Sequence, residues 1–248
     1  MLKTKIRFFA FLFLSGCAVT FIMVWFGNSL FIAFESDAPS RSVGSTDSGR
    51  LENGKRLPTS GANFRAYSRI GTLLGRNSVH GLVRTVILEA YATLAETAPD
   101  LTFVYAEASW PSGGPMPPHR THMNGLSVDF MVPVRDGQGN SVPLPTLPLT
   151  FFFWHLLDFD AKGRLGDLQI DFEAIAKHLD ALQHTARTHG IRIDLVVLTP
   201  EYLPLLWQTP TGRSLQDKFI PFYREPAKTR HDDHYHVNFS NPVNKLSH

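Results

Sequence analysis

Apolar positions along this chain fall into three regimes. Residues 8–34 (FFAFLFLSGCAVTFIMVWFGNSLFIAF) are an uncharged, largely apolar run with no polar stripe. At 1.5 Å per residue, about 20 helical residues cross a roughly 30 Å hydrocarbon core, so the run is long enough for a transmembrane helix. Residues 35–62 (ESDAPSRSVGSTDSGRLENGKRLPTSGA) are rich in Ser, Gly, Asp and Pro and lack apolar periodicity. That pattern predicts a flexible tether, with a reach of roughly 25–30 Å. From residue 63 onward helical and strand periods alternate. Val79, Leu82, Val83, Val86, Ile87, Ala90, Tyr91 and Leu94 recur at spacings of three and four after Ser78, a plausible N-cap. A second helix is predicted from the cap Asp171 to Gly190, with Phe172, Ile175, Ala176, Leu179, Leu182 and Ala186 on one face. Leu101–Trp110, part of Leu149–Phe159, Ile191–Leu198 and His234–Phe239 read as strands, as does Leu126–Val134, whose residues alternate, with Pro111–Pro118 as a Gly/Pro loop and Asp160–Gly163 as a turn. The expectation is an α+β fold: a single domain over residues 63–248, with a central, mainly antiparallel sheet flanked by helices and preceded by one transmembrane helix.

Composition divides along the same lines. The 248 residues carry a formal charge of +2, which would suit neither a disordered chain nor a polybasic nucleic-acid binder. Lys3, Lys5 and Arg7 are the only charges before Glu35, so beyond them 21 of the 24 Lys+Arg remain against 22 Asp+Glu. The basic excess therefore belongs to residues 1–7, and it orients the helix with the N-terminus in the cytoplasm and the domain outside. An uncleaved signal anchor, a lipoprotein processed at Cys17 (Leu14-Ser15-Gly16-Cys17 has the form of a lipobox) and ordinary secretion all place the domain outside the cytoplasm. Cys17 is the only cysteine, so no intramolecular disulfide forms.

The histidines carry the chemistry. Of eleven, five fall in two short stretches, His119 and His122, then His231, His234 and His236. Imidazole is a common zinc ligand and titrates near neutrality. Asp129 follows His122 by seven residues, with Gly125 between them to turn the chain back, and its carboxylate sits between Val128 and Phe130, where a cation would compensate it. On a strand, His234 and His236 share a face and Tyr235 points the other way.

H-x-x-H-x-x-G-x-x-x-D, running from His119 to Asp129, followed by H-D-x-H-x-H from His231 to His236, resembles the penicillin-insensitive murein endopeptidases. These belong to the wider zinc-peptidase group that includes lysostaphin and the D-alanyl-D-alanine peptidases. The resemblance covers residues 60–240. It implies Zn2+ held by His122, Asp129 and His236, with His234 as catalytic base or transition-state stabiliser and His231 and His119 as further active-site histidines. Arg120 and Ser127 stand where the wider group has Ser and Ala. The implied function is hydrolysis of an amide in peptidoglycan cross-link peptides by a domain anchored in the bacterial inner membrane through residues 8–34 and facing the periplasm or cell exterior. A D-alanyl-D-alanine-type carboxypeptidase and a non-catalytic zinc-containing wall-binding module are the alternatives. A cupin-like oxygenase site would need a Glu shortly after His236, and none is there.

Other candidates read as structural. Glu107 is expected at a surface strand end, Glu201 at a helix start, and Asp158 to Gly163 as a plain turn, since Lys162 and Gln169 occupy calcium-loop positions that need other side chains. His80, His155, His178, His184 and His189 are isolated, and Trp110 and Trp207 are expected to pack in the core.

Overall fold

The computed structural model describes residues 2–145, 157–217, 220–224 and 231–242. It is a mixed helix and sheet structure, as the alternating periods predict. The apolar helix α1 (Leu2–Ala33) includes a span, Phe11–Ala33, long and apolar enough to cross a membrane, at a mean hydropathy of 1.7. Next come β1 (Arg41–Gly44) and β2 (Gly49–Glu52), an antiparallel hairpin, then β3 (Lys55–Arg56), β4 (Phe64–Ala66) and the short helix α2 (Arg69–Leu74). Strand β5 (Ser78–Val79) pairs with β3 and leads into α3 (Gly81–Thr97) and β6 (Phe103–Tyr105). After a long loop come β7 (Ser127–Met131), β8 (Val134–Arg135), β9 (Ser141–Val142), β10 (Arg164–Leu165) and β11 (Leu168–Ile170). The chain continues through α4 (Phe172–Thr188), β12 (Ile193–Val197), α5 (Leu203–Gln208) and α6 (Pro210–Asp217) to β13 (His234–Phe239).

Five strands form the central sheet in the order β12-β13-β7-β6-β4, antiparallel except for the β4–β6 edge pair. A crossover containing α3 joins that parallel pair, as parallel strands require. β7 and β13 lie at the middle. Because side chains alternate across a strand, Val128, Phe130, Tyr235 and Val237 enter the core on one face, and Ser127, Asp129, His234, His236 and Asn238 share the other. Helices α3 and α4 pack on each other behind the core face. Their register is fixed by His178 of α4, which lies within 5.0 Å of the Tyr91, Phe103 and Phe130 rings and shares a 2.5 Å hydrogen bond with the Tyr235 hydroxyl.

Three expectations are corrected. Residues 35–62 do not form a tether: β1 and β2 pair over Arg41–Glu52, and Leu51 and Leu57 are buried. With only these two aliphatic anchors and Val43 between Pro39 and Pro58, the segment has too little apolar sequence to show a period, and its order comes from backbone pairing. The cap of α3 is His80, whose Nδ1 accepts from the Leu82 N–H at 3.1 Å, because Ser78 is already committed to β5. Strand β7 does not alternate between buried and exposed: all five residues are buried, with His119 and His122 of the preceding loop lying against Asp129 on its second face. The helix starting at Asp171 forms as expected, with the Asp171 carboxylate accepting from Ala174 N–H at 2.9 Å. Most of the expected strand in Leu149–Phe159 lies outside the described residues, and Leu157–Phe159 are irregular.

Burial holds the His178 ring neutral, pushing its pKa down to about 3. The unfolded chain takes up a proton near pH 6.5 and the folded one does not, so between pH 6.5 and 3 the unfolded state binds more protons and stability falls as pH falls. His178→Asn keeps an acceptor for Tyr235 and cannot titrate. Its unfolding free energy, measured in urea between pH 6.5 and 4, should decline less steeply than the wild type's, by up to about 1.4 kcal/mol per pH unit; parallel declines would reject the assignment.

Candidate metal centre

The site is built on β7 and β13 and on the loop that precedes β7. In the sheet register Asp129 stands opposite His236, and His236 Nδ1 lies 2.8 Å from Asp129 Oδ1. The loop brings two more imidazoles to the same carboxylate. His122 Nε2 is 3.3 Å from Asp129 Oδ1 and His119 Nδ1 is 3.6 Å from Oδ2. His119, His122 and Asp129 each place a donor atom within 4.8 Å of the others, a group that could hold a metal ion.

Local sequence explains how the loop reaches. Gly125 has φ +76°, and a Cβ there would meet the His80 N and the Leu51 side chain below 3.0 Å, so the turn needs glycine. His122 itself has φ +73°, a left-handed conformation that costs a residue with a Cβ about 1–3 kcal/mol and concentrates at functional sites. The β1–β2 hairpin holds that conformation in place. Thr46 O accepts from Met123 N–H at 2.9 Å, Gly44 O from the Asn124 amide at 3.2 Å, and Asn124 O from the Ser42 hydroxyl at 2.7 Å. The stretch expected to be a tether is therefore the brace of the metal loop.

Burial and polar satisfaction show what the arrangement lacks. His122 is fully buried, and neither of its ring nitrogens has a well-formed hydrogen bond; Asp129 Oδ2 also lacks one. Buried polar atoms left unpaired cost about 1–3 kcal/mol each. His236 Nε2 pairs with Asn238 Oδ1 at 2.8 Å. If that contact uses the ring N–H, Nδ1 presents a lone pair to the Asp129 carboxylate, and a proton or a metal ion is what removes the repulsion. The donor set thus fits a metal ion that takes imidazole nitrogen and carboxylate oxygen.

The electrostatics divide the histidines. Burial opposes charge on Asp129, yet His122 and His236 outweigh it and hold the carboxyl well below its usual range. For His122 burial wins over Asp129 and lowers the pKa, leaving the neutral ring that a metal requires. For His119 burial is outweighed by its bond to Glu107 and by the charges of Asp129 and Glu107, and the pKa is raised.

Glu107 corrects the surface expectation. It is buried, hydrogen-bonded to His119 Nε2 and ion-paired with buried Arg76, whose guanidinium lies 5.0 Å from the Trp110 ring. Burial would raise its pKa, but His119 and Arg76 lower it. Nothing in sequence joins Arg76 to Glu107 across 31 positions, although an acid between Ala106 and Ala108 in an apolar run was a signal of burial. Asp233 was likewise missed: its Oδ1 lies 2.7 Å from His234 Nδ1. His231 stacks obliquely on His234 with ring centroids 4.7 Å apart. Since His234 and His236 are two residues apart on β13, this second pair lies roughly 7 Å along the strand from the first cluster. Of the six residues named from the motifs, Asp129, His234 and His236 share one face of the sheet, His119 and His122 lie on the loop before β7, and His231 lies just before β13, so that they form two adjoining groups.

No protein-family model matches the chain, and no curated protein matches it in sequence.

The detergent-solubilised full chain should bind one divalent ion, and Asp129→Asn or His122→Ala should abolish binding in equilibrium dialysis. Because only the folded state assembles the donors, ion at a hundredfold its dissociation constant should stabilise the protein by about 2.7 kcal/mol, reversed by a chelator. Unchanged thermal unfolding with and without metal would refute the site.

Proposed function

We propose that the protein is a zinc-dependent peptidase of the cell wall, hydrolysing an amide bond in peptidoglycan cross-link peptides. On this proposal residues 8–34 anchor it in a bacterial inner membrane and the domain faces outward. The observation that carries it is the pairing of a buried, under-satisfied His122–Asp129–His236 cluster with the Asp233-supported His234 and His231 next to it on one sheet face. A closed structural zinc site would use four protein ligands and would have no need of the second pair. The order and spacing of the two histidine motifs supply the substrate class.

His122, Asp129 and His236 would hold the ion, their combined charge leaving it near +1. Bound there, zinc lowers the pKa of a water toward about 7 and polarises the scissile carbonyl. The remaining chemistry belongs to side chains. Asp233 keeps the proton on His234 Nδ1, which leaves Nε2 as the basic nitrogen of the ring. His234 takes the proton released as the water oxygen bonds to the carbonyl carbon, and returns it to the nitrogen as the C–N bond breaks. His231, beside it, shares the charge of the protonated pair. His119, fixed by Glu107 and Arg76, defines the opposite wall and keeps its Nδ1 directed at Asp129.

Three variants test these roles. His236→Ala should lose zinc; His119→Ala should keep it. His234→Ala should retain zinc and lose hydrolysis by about 10²–10⁴-fold, the range for removal of a general base. Mass spectrometry of cross-linked muropeptides incubated with the protein should show dimers split into monomers with the gain of one water. Release of a terminal residue alone would reassign the enzyme as a carboxypeptidase, and intact muropeptides with bound zinc would leave a binding module.

A further inference from the structure

Helix α1 does not stop short of the domain. Gly27 and Asn28 are buried against it, with Gly27 on the Leu73 side chain. The Asn28 amide donates to Leu57 O at 3.0 Å and to Thr59 Oγ1 at 3.1 Å, while its oxygen accepts from the Asn77 amide at 3.1 Å. Arg56 lies over the Phe31 ring at 4.5 Å and Arg69 over Trp25 at 5.0 Å. Just beyond the helix, the Glu35 carboxylate accepts from Arg56 N–H and pairs with Arg84 at 2.7 Å. These contacts make the last turns of α1 and the domain one body.

The opposite side of the same turns is apolar and bare. Phe26, Leu30 and Phe34 are exposed, Phe34 by 81%. Water does not favour such a stripe, whereas a bilayer does. Lipid that reaches Phe34 on one side of the helix must also reach the elements docked on the other. Those elements are β3 and α2, and α2 turns Ile70 and Leu74 outward, Leu74 being 46% exposed. The lengths agree: about 20 residues from Phe8 fill a roughly 30 Å core, which places Asn28 to Phe34 in the headgroup layer. Arginine and tryptophan are the side chains expected at that level, and Asn28 has its amide satisfied as a polar group at that depth requires.

On the membrane-anchor reading proposed above, the geometry points to a domain seated in the bilayer rather than suspended over it: Arg69, Ile70 and Leu74 form a docking surface for the headgroup–acyl boundary of the outer leaflet, phospholipid phosphates meeting the Arg69 guanidinium and acyl chains meeting the leucine and isoleucine. The consequence is a fixed station for the site. Asn77, bonded to Asn28, adjoins Arg76, whose partner Glu107 holds His119. The metal cluster is thereby tied to the membrane face through a short run of side chains, and the protein reaches only substrate within about 40 Å of the bilayer, the diameter of a domain of this size.

The test uses the full chain with Cys17→Ser, in vesicles of phosphatidylethanolamine and phosphatidylglycerol. A single cysteine is placed at Leu74→Cys or, as a reference on α4, at the exposed His184→Cys, and labelled with the fluorophore NBD. At position 74 the emission should shift to the blue, be quenched by lipid carrying a nitroxide near the top of its acyl chain, and resist reduction by aqueous dithionite; at position 184 the label should be reduced. Equal reduction at both positions, with the protein retained on alkaline extraction, overturns the seating and leaves the anchor standing. Extraction of the protein by alkali overturns the anchor and the seating together.

Discussion

A carboxylate on the central strand of a sheet, fully enclosed, must be given partners, and the surrounding structure is arranged to give them to Asp129. Strand register supplies His236 directly opposite. The loop before β7 supplies His122 and His119, at the cost of a left-handed backbone at His122. Each of these placements rests on something further out. The His178–Tyr235 bond locks β13 to α4 from behind, so the register that faces His236 to Asp129 is held by the core. From the front, the β1–β2 hairpin holds the loop through Thr46, Gly44 and Ser42.

The second acid, Glu107, changes the charge balance. Two buried carboxylates face one buried guanidinium and a set of imidazoles, and removing one partner of a buried pair typically costs about 3–5 kcal/mol. Arg76 answers Glu107, and Glu107 in turn orients His119. Asp129 has no comparable permanent cation. Its neighbours are imidazoles, one of them held neutral by burial, and its Oδ2 stays without a hydrogen bond. A metal ion held there would complete that balance, which an ordinary buried salt-bridge network would not need.

Much of this was legible in the sequence where a period or a motif was long enough to read. Helices α3 and α4 follow from their apolar stripes, and β13 matches its expected limits because His-x-His and Val-x-Phe alternate over six residues. The two motifs named five histidines and Asp129, which the fold brings into two adjoining groups, but not Asp233, which pairs with His234. What escaped has a common cause: its order comes from contacts distant in sequence. The hairpin has few apolar residues of its own and is held by backbone pairing and by the metal loop. Arg76 and Glu107 meet only because α2 and the chain after β6 converge, and Asn28 finds Asn77 only because α1 docks on the domain. Ser78 looked like a cap by residue type, but its pairing with Arg56 outranked local propensity.

Crystallographic anomalous scattering at the zinc absorption edge, on the protein crystallised with zinc, tests the central claim most directly. The account predicts one strong peak with donor atoms of His122, Asp129 and His236 at about 2.0–2.2 Å, and His119 still turned to Glu107. A peak elsewhere in the domain, or none beside Asp129, would contradict it.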